Sequence, residues 1–445
     1  MSLPSVIPVS VSELTGLLVE RLGLVSSPTD FWITAELDNH IRNAVREFQV
    51  LTGYWRARGT LTTSTGVPFY DLHTALVPRS TLDTDVLAQA GYHLLEYSGA
   101  GAYVHTGQFS VANIAAAFGE WIDRVLGETR MVLYDYEGTS GIPSGRFTLD
   151  PSIVQVHRVE WKDTASGLWT LLDRTDDIGA YGWASGWSGA AGLPQAFSQS
   201  TTPPLTIDLV PAPAAAGSLS ALVTYSQGYA YAAGVPAALL TPDDALWALV
   251  WGTLAGVLRQ DAQSRDSARA DYAARRAEAA LAVLKSWPCA LQAFPSGAQQ
   301  PLSSLFNLDH WSAGWRNALH GAPQTVTVAG RNLLSVAPVP DGAYAISLDL
   351  VGNSPASVSN RSTAFACAND IVSALLDHAQ HEACFKMGGD EFMGTMPLYR
   401  SFLDVARAYA SRERANDIDW EQLKGVTALE SAQAPYERVS EESPA

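Results

Sequence analysis

The stretch from Gly192 to Gly228 constrains this chain more than any other. Two apolar-rich runs, 205–210 and 219–225, are divided by Pro211, Pro213, a run of alanines and Gly217. Leu205, Ile207 and Leu209 alternate with Thr206, Asp208 and Val210, and Leu219, Ala221, Val223 and Tyr225 keep the same period of two. Such alternation marks a half-buried strand, because successive side chains leave opposite faces of the pleat. Proline lacks the N–H that a ladder needs, so the residues between are a turn or its margin. The pattern predicts that the two runs form an antiparallel pair.

A chain of 445 residues exceeds one ordinary core and predicts two or three packed units. The net charge of −17 argues against a protein that grips nucleic acid through phosphates, although DNA can slide past an acidic wall. Three cysteines (Cys289, Cys367, Cys384) give no disulfide framework and fit a reducing compartment. The first residues lack the basic start and apolar core of a signal peptide, and no apolar run reaches the roughly 18 residues of a membrane span.

The prolines at 4 and 8 and the leucines at 14, 17, 18 and 22 predict an arm with a short helix. Leu37, Ile41, Ala44, Val45, Phe48 and Leu51 then line one helix face, with Glu36, Asn39, Arg42, Asn43 and Arg46 turned away and Gly53 as the stop. Strands are expected over 60–77, helices over 82–97 and from Ser110 to beyond Gly127, and a hairpin at Ser166-Gly167. Thr241-Pro242-Asp243-Asp244 is a helix start, with acids facing the positive end of the dipole. A second, alanine-rich helix should end near Lys285; 325–351 reads as strands, followed by helices over 361–386 and 397–414.

Several phrases in this order resemble the head-to-tail adaptor (connector) proteins of tailed bacteriophages. They are Pro68-Phe69-Tyr70-Asp71-Leu72, Leu94-Leu95-Glu96, Gln108-Phe109-Ser110, the 192–228 stretch with its Leu-x-Ile-x-Leu-x-Pro-x-Pro core, and the two long helices after it. The resemblance covers roughly residues 30–415. It implies a homo-oligomeric ring, usually twelvefold, that docks on the portal protein and on a downstream tail or nozzle protein. DNA would pass its lumen without specific binding, in the virion neck between capsid and tail, after assembly in the host cytoplasm. Two alternatives stay open: another neck or tail component such as a tail-tube or baseplate protein, and a carbohydrate-binding β-sandwich built on the Trp183/Trp187 loop.

Motifs that suggest chemistry fail on context. Gly388-Gly389-Asp390-Glu391-Phe392 spells the signature of diguanylate cyclases, but a helical run precedes it where those enzymes need a strand. His378-x-x-His381-Glu382 matches neither zinc-protease spacing, and the expectation is a packing pair. Nucleotide cradles and nucleophile elbows are absent from the sequence, so no catalytic, cofactor-binding or metal residue is assigned.

The expected fold is α+β: a helical bundle body carrying an antiparallel β-domain, a second smaller β-plus-helix unit, and an extended C-terminal tail. The boundaries are an arm at 1–27, a body at 28–287 with the β-domain inserted at about 145–230, a linker at 288–323, a second unit at 324–415 and a tail at 416–445. Trp183, Trp187, Trp420, Leu423, Val426 and Tyr436 are the candidate portal or subunit contacts. The tail has too few apolar side chains to fold alone.

Overall fold

The computed structural model describes residues 6–24, 31–72, 82–95, 109–140, 145–183, 186, 191–202, 204–230, 232, 235–260, 267–287, 290–295, 300–351 and 360–428. The fold is mixed α+β, as the sequence predicts.

β1 (Val6–Ser10) leads into α1 (Val11–Arg21) through a reciprocal cap, in which Ser10 N donates to Glu13 Oε2 at 2.7 Å and Glu13 N donates to Ser10 Oγ at 3.2 Å. α2 (Thr34–Thr52) ends on Gly53 at φ 62°, where an added Cβ would lie 2.8 Å from Val351 Cγ1, so only glycine closes this corner. α3 (Asp83–His93) and α4 (Val111–Thr129, capped by Ser110) follow, α5 (Asp177–Trp183) is short, and α6 (Leu246–Gln260) and α7 (Ser267–Ser286) pack as a pair. Gly252 of α6 lets Trp121 of α4 lie flat on the helix: a Cβ there would stand 1.9 Å from the indole, whose Nε1 donates to Ala248 O at 3.1 Å. After α8 (Leu305–Trp311), the last described helices are α9 (Asn369–Phe385), α10 (Gly389–Met393), α11 (Met396–Tyr409), α12 (Arg412–Asp417) and α13 (Trp420–Gly425). The Gly388-Gly389 motif is thus a helix corner, with Gly388 at φ 65°.

One apolar core joins α1–α4, α6 and α7 to α9–α11 and α13. α2 runs through its middle and is buried nearly all round, so Glu36, Asn43 and Arg46, expected on an exposed face, are 2%, 2% and 7% exposed. An amphipathic stripe tells which face must be buried; it does not tell that the other face stays wet.

β2 (Ala57–Thr62) and β3 (Phe69–Asp71) precede a curled seven-stranded sheet built from β4 (Tyr134–Ser140), β5 (Arg146–Thr148), β6 (Ile153–Asp163), β7 (Trp169–Arg174), β9 (Ala196–Gln199), β10 (Thr206–Val210) and β12 (Gly217–Tyr225). β8 (Ala191–Gly192) and β11 (Ala212–Pro213) form a small parallel side pair. The order is β4-β12-β6-β7-β9-β10-β5, and β7 runs parallel to β9, so the sheet is mixed.

The predicted pairing of 205–210 with 219–225 is therefore corrected. β10 lies between β9 and β5, and β12 between β4 and β6. Leu205, Ile207 and Leu209 still meet Leu219, Ala221 and Val223 in one core, across the curl of the sheet. Alternation fixes which side chains face inward, and a curled sheet lets two runs share a core without sharing a ladder.

The division into a body, a linker and a separate second unit is also corrected. The expected linker holds β13 (Ala290–Pro295), β14 (Gln300–Pro301), β15 (Ser303–Ser304) and α8. β16 (Thr325–Ala329), β17 (Leu333–Ala337) and β18 (Ala345–Leu350) build two sheets with the N-terminal half: β18 pairs with β2 from Ala345↔Thr62 to Leu350↔Ala57, and β17 with β3. β19 (Ala364–Ala368) pairs with β1 along its whole length, so the expected arm is a strand of the fold. β-forming text is satisfied by any strand of matching register, however distant in the chain.

Candidate functional site

Two places in the structure concentrate chemistry. The first is an exposed shelf where β6 and β7 meet α8 and the turn after it. Arg158 on β6 grips Asp309 on α8 through two hydrogen bonds of 2.8 Å, and burial's penalty on its charge is outweighed by Asp309 and Glu160, so its pKa rises. Arg316 donates to Glu160 Oε2 at 2.5 Å and lies 3.9 Å over the Trp169 ring. Asn317 and Trp169 exchange two hydrogen bonds of 2.7 Å. Around these locked contacts large apolar side chains are exposed: Phe306 is 77% exposed, Trp311 74% and Leu319 93%, and Phe306 lines one cleft with Leu171 of β7. Singly such residues are ordinary; Phe306 and Leu171, meeting beside a rigid support, mark a candidate contact surface.

A cleft of about 530 Å³ opens beside the shelf, lined by Arg130, His157, Arg174, Phe306 and His310 among others. Among the described residues the Arg130 and Arg174 side chains make no ion pair. Burial and these two guanidiniums push His157 down to about 4.

The second place is a buried charge cluster in the helical core. α2 supplies Glu36, His40 and Glu47; α9 supplies His378, His381 and Glu382, with Lys386 just beyond it; α7 supplies Tyr272 and Arg276, and α11 Tyr399. Glu47 accepts from Arg276, from His378 Nε2 at 2.8 Å and from Tyr399 OH at 3.2 Å. Burial works to raise its pKa, but Arg276 and His378 outweigh it and hold it down. Lys386 pairs with Glu36 at 2.7 Å. His40 stands with Nε2 3.5 Å from Glu36 Oε1 and Nδ1 3.4 Å from Glu382 Oε2; burial pulls its pKa down, yet the two carboxylates carry it above the ordinary value. His381 donates and accepts between Tyr272 OH at 2.6 Å and Thr395 Oγ1 at 2.8 Å, and burial keeps it neutral. The His-x-x-His-Glu phrase therefore lies in the helical core.

Of the six residues predicted to face a partner, three are buried in the structure. Trp420, Leu423 and Val426 are 3%, 1% and 2% exposed, inside the chain's own core. This corrects the extended-tail reading for 416–428, the rest of the expected tail lying outside the described residues: Arg414 anchors the segment by donating to Val50 O at 2.8 Å and Ser286 O at 2.7 Å, the carbonyl ends of α2 and α7. Trp183 closes α5, while Trp187 and Tyr436 lie outside the described residues. The shelf was missed because Phe306, Trp311 and Leu319 fall in text that read as a linker, although Ser304 capping a helix with Phe306 and His310 one turn apart was a usable signal.

No family model matches the chain, and no curated protein matches it.

Proposed function

We propose that this chain is a structural virion protein, a head-to-tail adaptor that forms a ring between the portal and the tail and lets DNA pass. The observation that carries the proposal is the ordered set of adaptor-like phrases from Pro68 to Tyr225, on a chain whose helical core bears a large sheet unit. The exposed shelf supports it, since a ring subunit needs an apolar surface on a rigid frame. The acidic charge supports it too, since a lumen that lets DNA slide must not bind phosphates.

Negative-stain imaging of the full chain, alone and mixed with portal rings, tests this. Rings, or particles bound end-on to the portal, are expected; monomers that ignore the portal would refute it. The reading includes no catalytic step. Incubation with GTP and Mg²⁺ should release no cyclic dinucleotide, and turnover lost in Asp390→Ala would overturn that part.

A further inference from the structure

We propose that Glu382, His40 and His378 bind one divalent transition-metal ion of the zinc type inside the helical core. The first ground is unmet bonding. Glu382 is 1% exposed, and among the described residues neither of its oxygens takes part in a hydrogen bond. His378 Nδ1 and both ring nitrogens of His40 are likewise buried without one. A charged carboxylate in an apolar interior without donors is strongly unfavourable, and buried polar atoms in folded proteins nearly always have a partner.

The second ground is spacing. His40 Nδ1 lies 3.4 Å from Glu382 Oε2, and His378 Nδ1 lies 4.0 Å from Oε1. These separations are long for hydrogen bonds. Ligand atoms bound at about 2.0–2.2 Å around a tetrahedral ion stand about 3.4 Å from one another. The two imidazoles address different oxygens of the carboxylate, so one ion between them requires the His378 and His40 sides to close toward each other.

The third ground is the outer arrangement. Each histidine turns its other nitrogen toward a carboxylate: His40 Nε2 toward Glu36 at 3.5 Å, His378 Nε2 toward Glu47 at 2.8 Å. Each of those carboxylates is held by a cation, Lys386 and Arg276 respectively. Carboxylates that orient imidazoles are the usual outer shell of a metal site. Glu47, His378 and Glu382 each bring a ligand atom within 4.8 Å of the others. Glu47, however, is engaged by Arg276, His378 and Tyr399, and a second cation beside the guanidinium would be repelled, so it belongs to the outer shell.

Charge counting agrees. Three buried acids (Glu36, Glu47, Glu382) face two buried cations (Arg276, Lys386), and the other titratable groups packed there are His40, His93, His378, His381, Tyr272 and Tyr399, of which His93 and His381 have pKa values lowered by burial. Closing the count takes one positive charge at Glu382. A proton on His40 supplies it, and so does a divalent ion carrying one hydroxide.

The test uses the full chain, purified without chelator and dialysed against metal-free buffer. Elemental analysis should find close to one zinc or other first-row ion per chain. Chelator-stripped protein should take up Co²⁺ with the intense visible absorption of a low-symmetry site, and added Zn²⁺ should raise its unfolding midpoint. Glu382→Gln should lose the metal and the Zn²⁺ effect, while His320→Gln, remote from the cluster, should keep both. Should Glu382→Gln not fold, His40→Gln gives the same comparison. Wild-type protein that holds no stoichiometric metal, and whose midpoint ignores both Zn²⁺ and Co²⁺, overturns the proposal and leaves a proton as the counter-charge.

Discussion

Arg414→Ala is the sharpest test of how the C-terminal segment is held. Arg414 is fully buried, and its guanidinium bridges two helix ends: Nε and Nη2 donate to Val50 O at 3.1 and 2.8 Å, and Nη1 donates to Ser286 O at 2.7 Å and Ser286 Oγ at 3.2 Å. Helix C-termini leave carbonyls without intrahelical partners and carry partial negative charge, so a cation there both bonds and neutralises. Burial depresses the Arg414 pKa to about 10, Asp417 offsets this only in part, and the carbonyls and dipoles carry the rest of the compensation.

Truncation to alanine removes the donors and leaves two helix ends facing an empty volume. Hydrogen bonds to charged groups are worth about 1.5–3 kcal/mol each, and with two carbonyls losing theirs the loss is about 3–5 kcal/mol. That is a large share of the roughly 5–15 kcal/mol by which domains are stable. With a urea slope of about 3 kcal/mol/M for a chain this size, the midpoint followed by far-ultraviolet dichroism should fall by about 1–1.5 M. Arg414→Lys keeps the charge but reaches one helix end only, and should lose about half as much. An alanine variant within about 0.5 kcal/mol of wild type would refute the reasoning, because surface substitutions fall in that range.

Gly252→Ala should destabilise by about 2–4 kcal/mol, since its Cβ meets the Trp121 indole at 1.9 Å and cannot be absorbed by a rotamer change; a urea midpoint within error of wild type would contradict this. The pH response has a worked sign: His93, His157 and His381 have folded pKa values below the unfolded value of about 6.5, so the unfolded chain binds more protons and stability falls as pH drops through 6.5. His40, raised, acts oppositely, as do Asp85 and Asp135 at lower pH, while Glu47, lowered, adds a further loss below about 4.5, so midpoints at pH 7.5, 6 and 4 should decrease in that order, with a smaller early drop in His157→Gln. Phe306→Ala/Trp311→Ala should leave the unfolding midpoint nearly unchanged while lowering the fraction of assembled particles in sedimentation velocity; unchanged assembly would remove the shelf from the proposed interface.

What the sequence made legible was local. The stripe of Leu37, Ile41, Ala44, Val45, Phe48 and Leu51, the stop at Gly53, the Asp243-Asp244 start and the turn at Gly167 all rest on interactions within a few residues, and each stands where it was expected. Long-range partners were not legible. Nothing in Phe69-Tyr70-Asp71 announces that it pairs with Leu333, Leu334 and Ser335, because a ladder is backbone chemistry that any extended run can satisfy. The same limit hid the buried charges. Glu36, turned away from the apolar stripe in the sequence, is buried because Lys386, far along the chain, is brought against it. Trp420, Leu423 and Val426 looked too sparse to fold, which is true of the segment alone. They pack in a groove that the rest of the chain has already built, so most of the ordering cost falls on few residues.

These corrections also bear on where a second copy could approach. Subunits that each carry −17 repel one another at long range, and salt shortens that repulsion to about 8–10 Å without removing it. Burial deepens the problem: Arg276, Arg316, Arg414 and Lys386 are all inside, so their charge is spent on the core and does little to soften the surface. The shelf is different. Its outer side chains are apolar, and the adjoining cleft keeps two arginines without acid partners among the described residues. An acidic neighbour arriving there buries carbon and meets positive charge. A surface that an acidic chain leaves apolar and basic in one place is the face on which self-association costs least, and it lies on a frame of bidentate ion pairs that needs no rearrangement to receive it.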